Sequence, residues 1–208
     1  MSYYLNLIKS GLYVLSDRTV DFVKYYLLSD NDLDDDACKI PNRRIFPKVP
    51  YFEQLHTFFG DPTYIIDSIY LGSAFNASNY DMIKKYDIES IINMTNELTN
   101  HYEENINYKR YPLYDNNNDS IIDYLENTYQ DIIEFQRKNP NKYILVHCFM
   151  GASRSATVVT YYLMKKYGLS VDDAILKIKE KRGIVNLTAK LYSDLHKIQR
   201  EKLKLDQI

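Results

Sequence analysis

Tryptophan is absent from this chain, cysteine occurs twice, and glycine and proline occur six times each. Two thiols, Cys38 and Cys148, are too few for a disulfide scaffold and suit a reducing compartment. No apolar run reaches the roughly 20 residues of a membrane-spanning helix. The N-terminus MSYYLNLIKSGLYVLSDR also lacks the compact apolar centre and small-residue cleavage site of a signal peptide. An excess of one charge is missing too: 26 Lys and Arg against 28 Asp and Glu leave −2, without the basic footprint of phosphate-backbone binding. The expectation is a soluble intracellular protein, cytoplasmic or nuclear, with neither membrane nor nucleic acid as a partner. Three of the four histidines, His56, His101 and His196, form no metal-site spacing, and neither metal nor cofactor is expected.

Apolar residues make up 45% of the 208, enough for one core with a short appendage. The 21 tyrosines, among abundant Asn, Ile and Lys, reflect an A- and T-rich coding sequence rather than an aromatic binding platform. From about Asp67 the chain alternates strands and helices. SIYLGS (68–73) and IESIINMT (88–95) read as buried strands, with a short helix in ASNYDMIKKY between them. INYKRYPL reads as a strand with one wet face. The 118–138 stretch spaces Ile122, Leu125, Tyr129, Ile132 and Ile133 helically, with Asp119 or Ser120 as N-cap. KYILVHC is a further strand, RSATVVTYYLMKKYG a helix closed by Gly168, VDDAILKIKEKRG a helix from Ser170 to Gly183, and AKLYSDLHKIQREKL a last amphipathic helix. This pattern predicts an α/β fold with a central sheet between helices. The first 62 residues differ: one helix over 17–29 with Val20, Val23 and Leu27 on a stripe, then an acidic run and three prolines. They are read as an extension, 1–62, on a domain of 63–208.

The chemistry concentrates in VHCFMGASRS, residues 146–155. Between a buried strand and a helix N-terminus, successive backbone N–H groups and the helix dipole make an anion site. Gly151 allows the tight turn. Arg154 can fork two oxygens of a phosphate. Cys148 at the base of such a loop feels the same field, which lowers a thiol pKa from about 8.5 into the range of roughly 3.5–7.5. A lone cysteine ending a strand is more often a packed small hydrophobe; His-Cys-x-x-Gly-x-x-Arg-Ser between strand and helix is far more specific.

On these residues the chain resembles the cysteine-dependent protein tyrosine phosphatases, and within them the dual-specificity branch without a rhodanese-like docking domain. The similarity runs over roughly 63–200. It is carried also by SIYLGSAFNAS, IESIINMT, VVTYYLM and AILKIKEKRGIV with its arginine. The chain departs from the pattern before the last helix, where many members carry Pro-Asn and this chain has Leu187 and Thr188. The resemblance implies a mixed sheet flanked by helices and a phosphate-binding loop of His147, Phe149, Met150, Gly151, Ala152 and Ser153 around Cys148. It implies that Ser155 eases departure of the thiolate and that His147 holds the loop and helps keep Cys148 ionised; His147 is equally well described as a satisfied core histidine. Ser153 reads as a cap of the following helix.

A proton donor is also required, and RYPLYDNNNDSIIDYLE offers Asp115, Asp119 and Asp123. Asp123 falls inside the helix and Asp119 suits its cap, whereas Asp115 follows a strand. The resemblance agrees, since Asp115 lies 33 residues ahead of Cys148 and nine ahead of Tyr124. With no lysine among Phe149, Met150 and Ala152, phosphorylated protein is the expected substrate. The same mechanism on RNA 5′ ends or phosphoinositides, and a phosphoprotein-binding module with little turnover, stay open. NRRIF (42–46) puts two arginines before apolar residues, like a kinase-docking peptide, but so short a match is read as chance. The extension can dock on its own domain or exchange between chains as a homodimer.

Overall fold

The computed structural model describes residues 44–47, 49–114 and 120–205. The helix read at 17–29, the acidic run with Cys38, the exchange that would build a dimer, Asp115 and Asp119 all lie outside the described residues. No described helix is long and apolar enough to cross a membrane.

Along the described chain run α1 (Tyr51–Phe59), β1 (Thr63–Ile66), β2 (Ile69–Gly72), α2 (Ala74–Ser78), α3 (Tyr80–Lys85), β3 (Ile88–Asn93) and β4 (Asn107–Arg110). They are followed by α4 (Ile122–Lys138), β5 (Tyr143–His147), α5 (Arg154–Tyr167), α6 (Val171–Lys181) and α7 (Ala189–Leu205). The expected helix at 77–86 is in fact two. Ser73 and Asn76 form a capping box at the start of α2, and the Asn79 side chain accepts the Met82 N–H to start α3, so the polar residues restart the helix at Asn79. The cap read at Asp119 or Ser120 falls instead on Ile121, which gives no side-chain cap; the Ser120 hydroxyl just ahead of it accepts from the Ile122 N–H at 3.3 Å. Gly168 closes α5 at φ +67° as read, and Ser170 caps α6 through the Asp173 N–H. That helix stops at Lys181 rather than at Gly183, because Arg182 turns inward and is 1% exposed.

The sheet order is β1-β2-β5-β3-β4, mixed because β1 alone runs antiparallel to its neighbour. The β1–β2 turn places Asp67 and Ser68 at positive φ, a conformation short polar side chains tolerate. β5 lies at the centre with Ile144, Leu145 and Val146 fully buried, as parallel strands covered on both faces require. Ile144 and Val146 join Ile69, Leu71 and Ile92 against α4–α7, whereas Leu145, Ile88 and Ile91 join Ala77 and Ile83 on the opposite face. Register aligns Gly72 and Asn93 with His147 on either side. Three parallel strands therefore end together, and their loops share one edge of the sheet, where open α/β sheets place their sites.

Residues 44–47 and helix α1 are in contact with this body. Residues 44–47 lie along 186–188, with an antiparallel bridge between Arg44 and Thr188. α1 buries Phe58 and Phe59 among Phe75, Leu98 and Phe149. Ile45 and Phe46 pack partly buried against the main core, so this half of NRRIF is a packed segment; Arg43 lies outside the described residues.

Candidate active site

Strand β5 delivers Cys148 to the shared edge, 3% exposed. Its Sγ accepts hydrogen bonds from the Gly151 N–H at 3.3 Å and the Ser155 hydroxyl at 3.2 Å. What shapes the loop is the fate of its carbonyls. That of Phe149 accepts from the Ala74 N–H at 2.9 Å, and that of Ala152 from the Asn186 N–H at 2.8 Å. Those of Met150 and Gly151 each accept from the Arg182 guanidinium at 2.9 Å. The Ser153 carbonyl takes the Thr157 N–H and hydroxyl. Because a peptide unit is planar and trans, each carbonyl drawn outward leaves the next N–H facing the opposite way. Carbonyls held in this way leave N–H groups on the other side of the loop, that of Gly151 meeting the Cys148 sulfur, and such an arrangement can take an anion. Gly151 sits at φ +69°, and a Cβ there would lie 2.3 Å from the Gly72 carbonyl oxygen, so the close approach of the two strand-end loops needs glycine.

Arg182 completes the support by donating to the Thr63 hydroxyl at 3.1 Å. Burial pulls its pKa down to about 10, against the opposing pull of Cys148, so it is still cationic at neutral pH. The sequence points to this arginine only through a family likeness; its grip on the loop, from 31 residues away, has no local signal.

Arg154 opens α5 with 1% exposure. Its two terminal nitrogens meet Glu97 at 2.9 and 2.7 Å, and one of them also donates to the Leu113 carbonyl at 3.1 Å. Glu97 went unread in the sequence. Its position is set by Asn93 at the end of β3: the side-chain oxygen of Asn93 accepts from the Thr95 N–H and hydroxyl, and its amide nitrogen donates to Leu98 and Asn100. The available signal was an acidic residue just past a parallel strand that ends beside β5.

Other expectations shift. The Phe149 side chain faces away from the loop into the aromatic cluster, 5.4 Å from the Phe58 ring centre. Ser153 makes no side-chain cap of α5; its hydroxyl instead accepts from the Thr188 N–H at 3.2 Å. Leu187 and Thr188, where the family pattern breaks, thus belong to a segment that holds the loop through Asn186 and Thr188. His147 approaches the Cys148 carbonyl with Nδ1 at 3.3 Å. Burial drives its pKa down to about 3, so it is neutral at pH 7 and brings no positive charge to the thiol. Asp123 is exposed on α4.

Cys148, the Ser155 hydroxyl on its sulfur and the buried Arg154 that opens α5 thus stand together where β5 ends. The model of the dual specificity phosphatase catalytic domain matches residues 69–201, and the chain belongs to that family. It is 35% identical over 138 residues to the Slingshot protein phosphatase homologue of Xenopus laevis, covering 66% of this chain and 20% of that protein. It is 31% identical over 146 residues to dual specificity protein phosphatase 1 of Arabidopsis thaliana, covering 70% of this chain and 73% of that protein. The chain spans only a minor part of the Slingshot relatives it matches. Among solved structures, human DUSP28 superposes with TM-score 0.63 at 26% identity, covering 69% of this chain and 99% of that one. DUSP15 does so with TM-score 0.62 at 28% identity, covering 66% and 86%.

Proposed function

We propose that this protein hydrolyses phosphotyrosine and phosphoserine or phosphothreonine in proteins through a phosphocysteine intermediate. The observation that carries the reading is the ring of outward carbonyls from Phe149 to Ser153 around the Cys148 sulfur.

In the first step the Cys148 sulfur attacks phosphorus in line, the S–P bond forming as the ester P–O bond breaks. The inner N–H groups and Arg154 hold the equatorial oxygens, whose charge they match in place. Glu97 serves as the countercharge that orients the arginine. Asp115 gives its proton to the leaving oxygen; Leu113, two residues ahead of it, is tied to Arg154. In the second step water attacks the phosphocysteine, Asp115 takes its proton, and the S–P bond breaks with the pair returning to sulfur. The Ser155 hydroxyl, already on Sγ, stabilises the departing thiolate. Protons and charges balance with these groups and water.

Replacing Cys148 with serine tests the reading. Cys148→Ser should lose turnover on a phosphotyrosine peptide while still binding it, because the alcohol is a far poorer nucleophile in an intact loop. Substantial residual hydrolysis would sink the assignment. Wild-type rates on phosphothreonine peptide, RNA 5′-triphosphate and phosphoinositide, measured side by side, decide the substrate class.

A further inference from the structure

Asn186 stands between the phosphate loop and the segment at 44–47. Its side-chain oxygen accepts the Phe46 N–H at 3.0 Å, and its side-chain nitrogen donates to the Phe46 carbonyl at 2.9 Å. An amide paired on both sides with one residue's backbone reproduces a rung of a β-ladder. The rungs beside it are backbone: the Ile45 N–H donates to the Leu187 carbonyl at 3.2 Å, and Arg44 bridges Thr188. The Arg44 guanidinium also donates to the Asn186 carbonyl at 3.1 Å. Lys179 closes the corner, its ammonium 4.9 Å from the Phe46 ring centre while it donates to the carbonyls of Gly183 and Val185. On the other side, the Asn186 and Thr188 N–H groups hold the Ala152 carbonyl and the Ser153 hydroxyl.

We infer that Asn186 is a positioning residue of the phosphate loop, acting by clamping residues 44–47 onto 186–188. The inference rests on the phosphatase reading for what the loop does, though not for the clamp itself. The 186–188 stretch belongs to none of the five strands, so 44–47 supplies the backbone partner a sheet neighbour would otherwise give. Asn186 is 7% exposed, and its side-chain amide needs such partners. Whatever moves 186 moves the Ala152 carbonyl, and planarity carries that rotation to the Ser153 N–H on the inner face. The N-terminal segment therefore enters the site's geometry without contributing a residue to it.

The experiment uses the full chain in a Cys38→Ser background, so that Cys148 is the one thiol read. Two quantities are measured: kcat on a small aryl phosphate, and the pH midpoint of inactivation by iodoacetate. Asn186→Ala should lower kcat about tenfold, as a slightly misplaced site does, and move the alkylation midpoint to higher pH. Phe46→Pro, which deletes the N–H that Asn186 accepts, should give the same two changes. The double variant should fall no further than the worse single one, because both break one clamp. Asn186→Asp, keeping the acceptor and losing the donor, should lie between wild type and alanine. A folded Asn186→Ala protein with wild-type kcat and midpoint overturns the inference, and so do losses that multiply in the double variant. If the variants shift the midpoint while the wild type hydrolyses no phosphate ester, the clamp stands and the phosphatase reading falls.

Discussion

Two loops leave the same edge of the sheet, and they are stabilised in opposite ways. The phosphate loop at 148–153 is held mainly from outside, by Ala74, Arg182 and Asn186, with Thr157 its nearest support. The loop carrying Glu97 is built largely from within: Asn93, Thr95, Leu98 and Asn100 bond to one another, and Arg110 adds bonds to the carbonyls of Thr95 and Asn96. Chemistry explains the contrast. A loop that turns its amides toward an anion must surrender its carbonyls to outside donors, and Phe, Met, Gly, Ala and Ser have little with which to fold themselves. A loop that presents one carboxylate is free to use its own polar side chains.

The largest expected effect comes from removing an outside support. Arg182→Met leaves the Met150 and Gly151 carbonyls without their guanidinium, and kcat on an aryl phosphate should fall about 10²-fold, with a lower melting temperature. Wild-type turnover in the folded variant would show that the carbonyls keep their orientation unaided. A smaller effect is expected in the self-built loop. Asn93→Ala should cost about tenfold in kcat/KM by freeing Glu97 from Arg154, while the pH profile of Cys148 alkylation stays as in wild type. A shifted alkylation profile would mean that the two loops are one structure, breaking the comparison.

The smallest effect concerns stability beneath the phosphate loop. The His147 pKa falls from 6.5 to about 3 in the folded protein, so between those values the unfolded chain binds the extra proton. Stability is therefore lost as pH drops from about 6.5 toward 3. His147→Gln, which cannot charge, should remove that loss, worth ~2 kcal/mol at pH 5 and almost nothing at pH 7.5. Urea unfolding at the two pH values measures it; equal destabilisation of both proteins at pH 5 would assign the acid sensitivity to other groups.

What the sequence makes legible follows the same division. Elements marked by local chemistry are readable: the buried β5 run, the Gly168 and Ser170 punctuation, the alternating strand and helix order, and the thiol, glycine and arginine of the loop. Helix α1 carried a weak mark, Pro50 ahead of Leu55, Phe58 and Phe59, but it adjoined a proline-bearing stretch that reads as linker. Glu97 on Arg154, Arg182 under Gly151 and Asn186 on Phe46 are separated by 57, 31 and 140 positions. Such pairings exist only in three dimensions. His147 shows the limit from another direction: its place was evident, but its protonation state depends on burial by the whole fold.

The 140-residue span between Phe46 and Asn186 also sets an order of events during synthesis. Contacts so distant in sequence must bear the loop-closure cost before they stabilise anything, which delays them in folding. A ribosome that has released residues through α5 has exposed the whole Cys148–Arg154 motif, yet neither Arg182 nor Asn186 has emerged to turn its carbonyls outward. The nascent chain thus holds a cysteine in a loop with only part of its support, from Ala74 and Thr157, and the remaining carbonyls find their donors when Arg182 and Asn186 emerge.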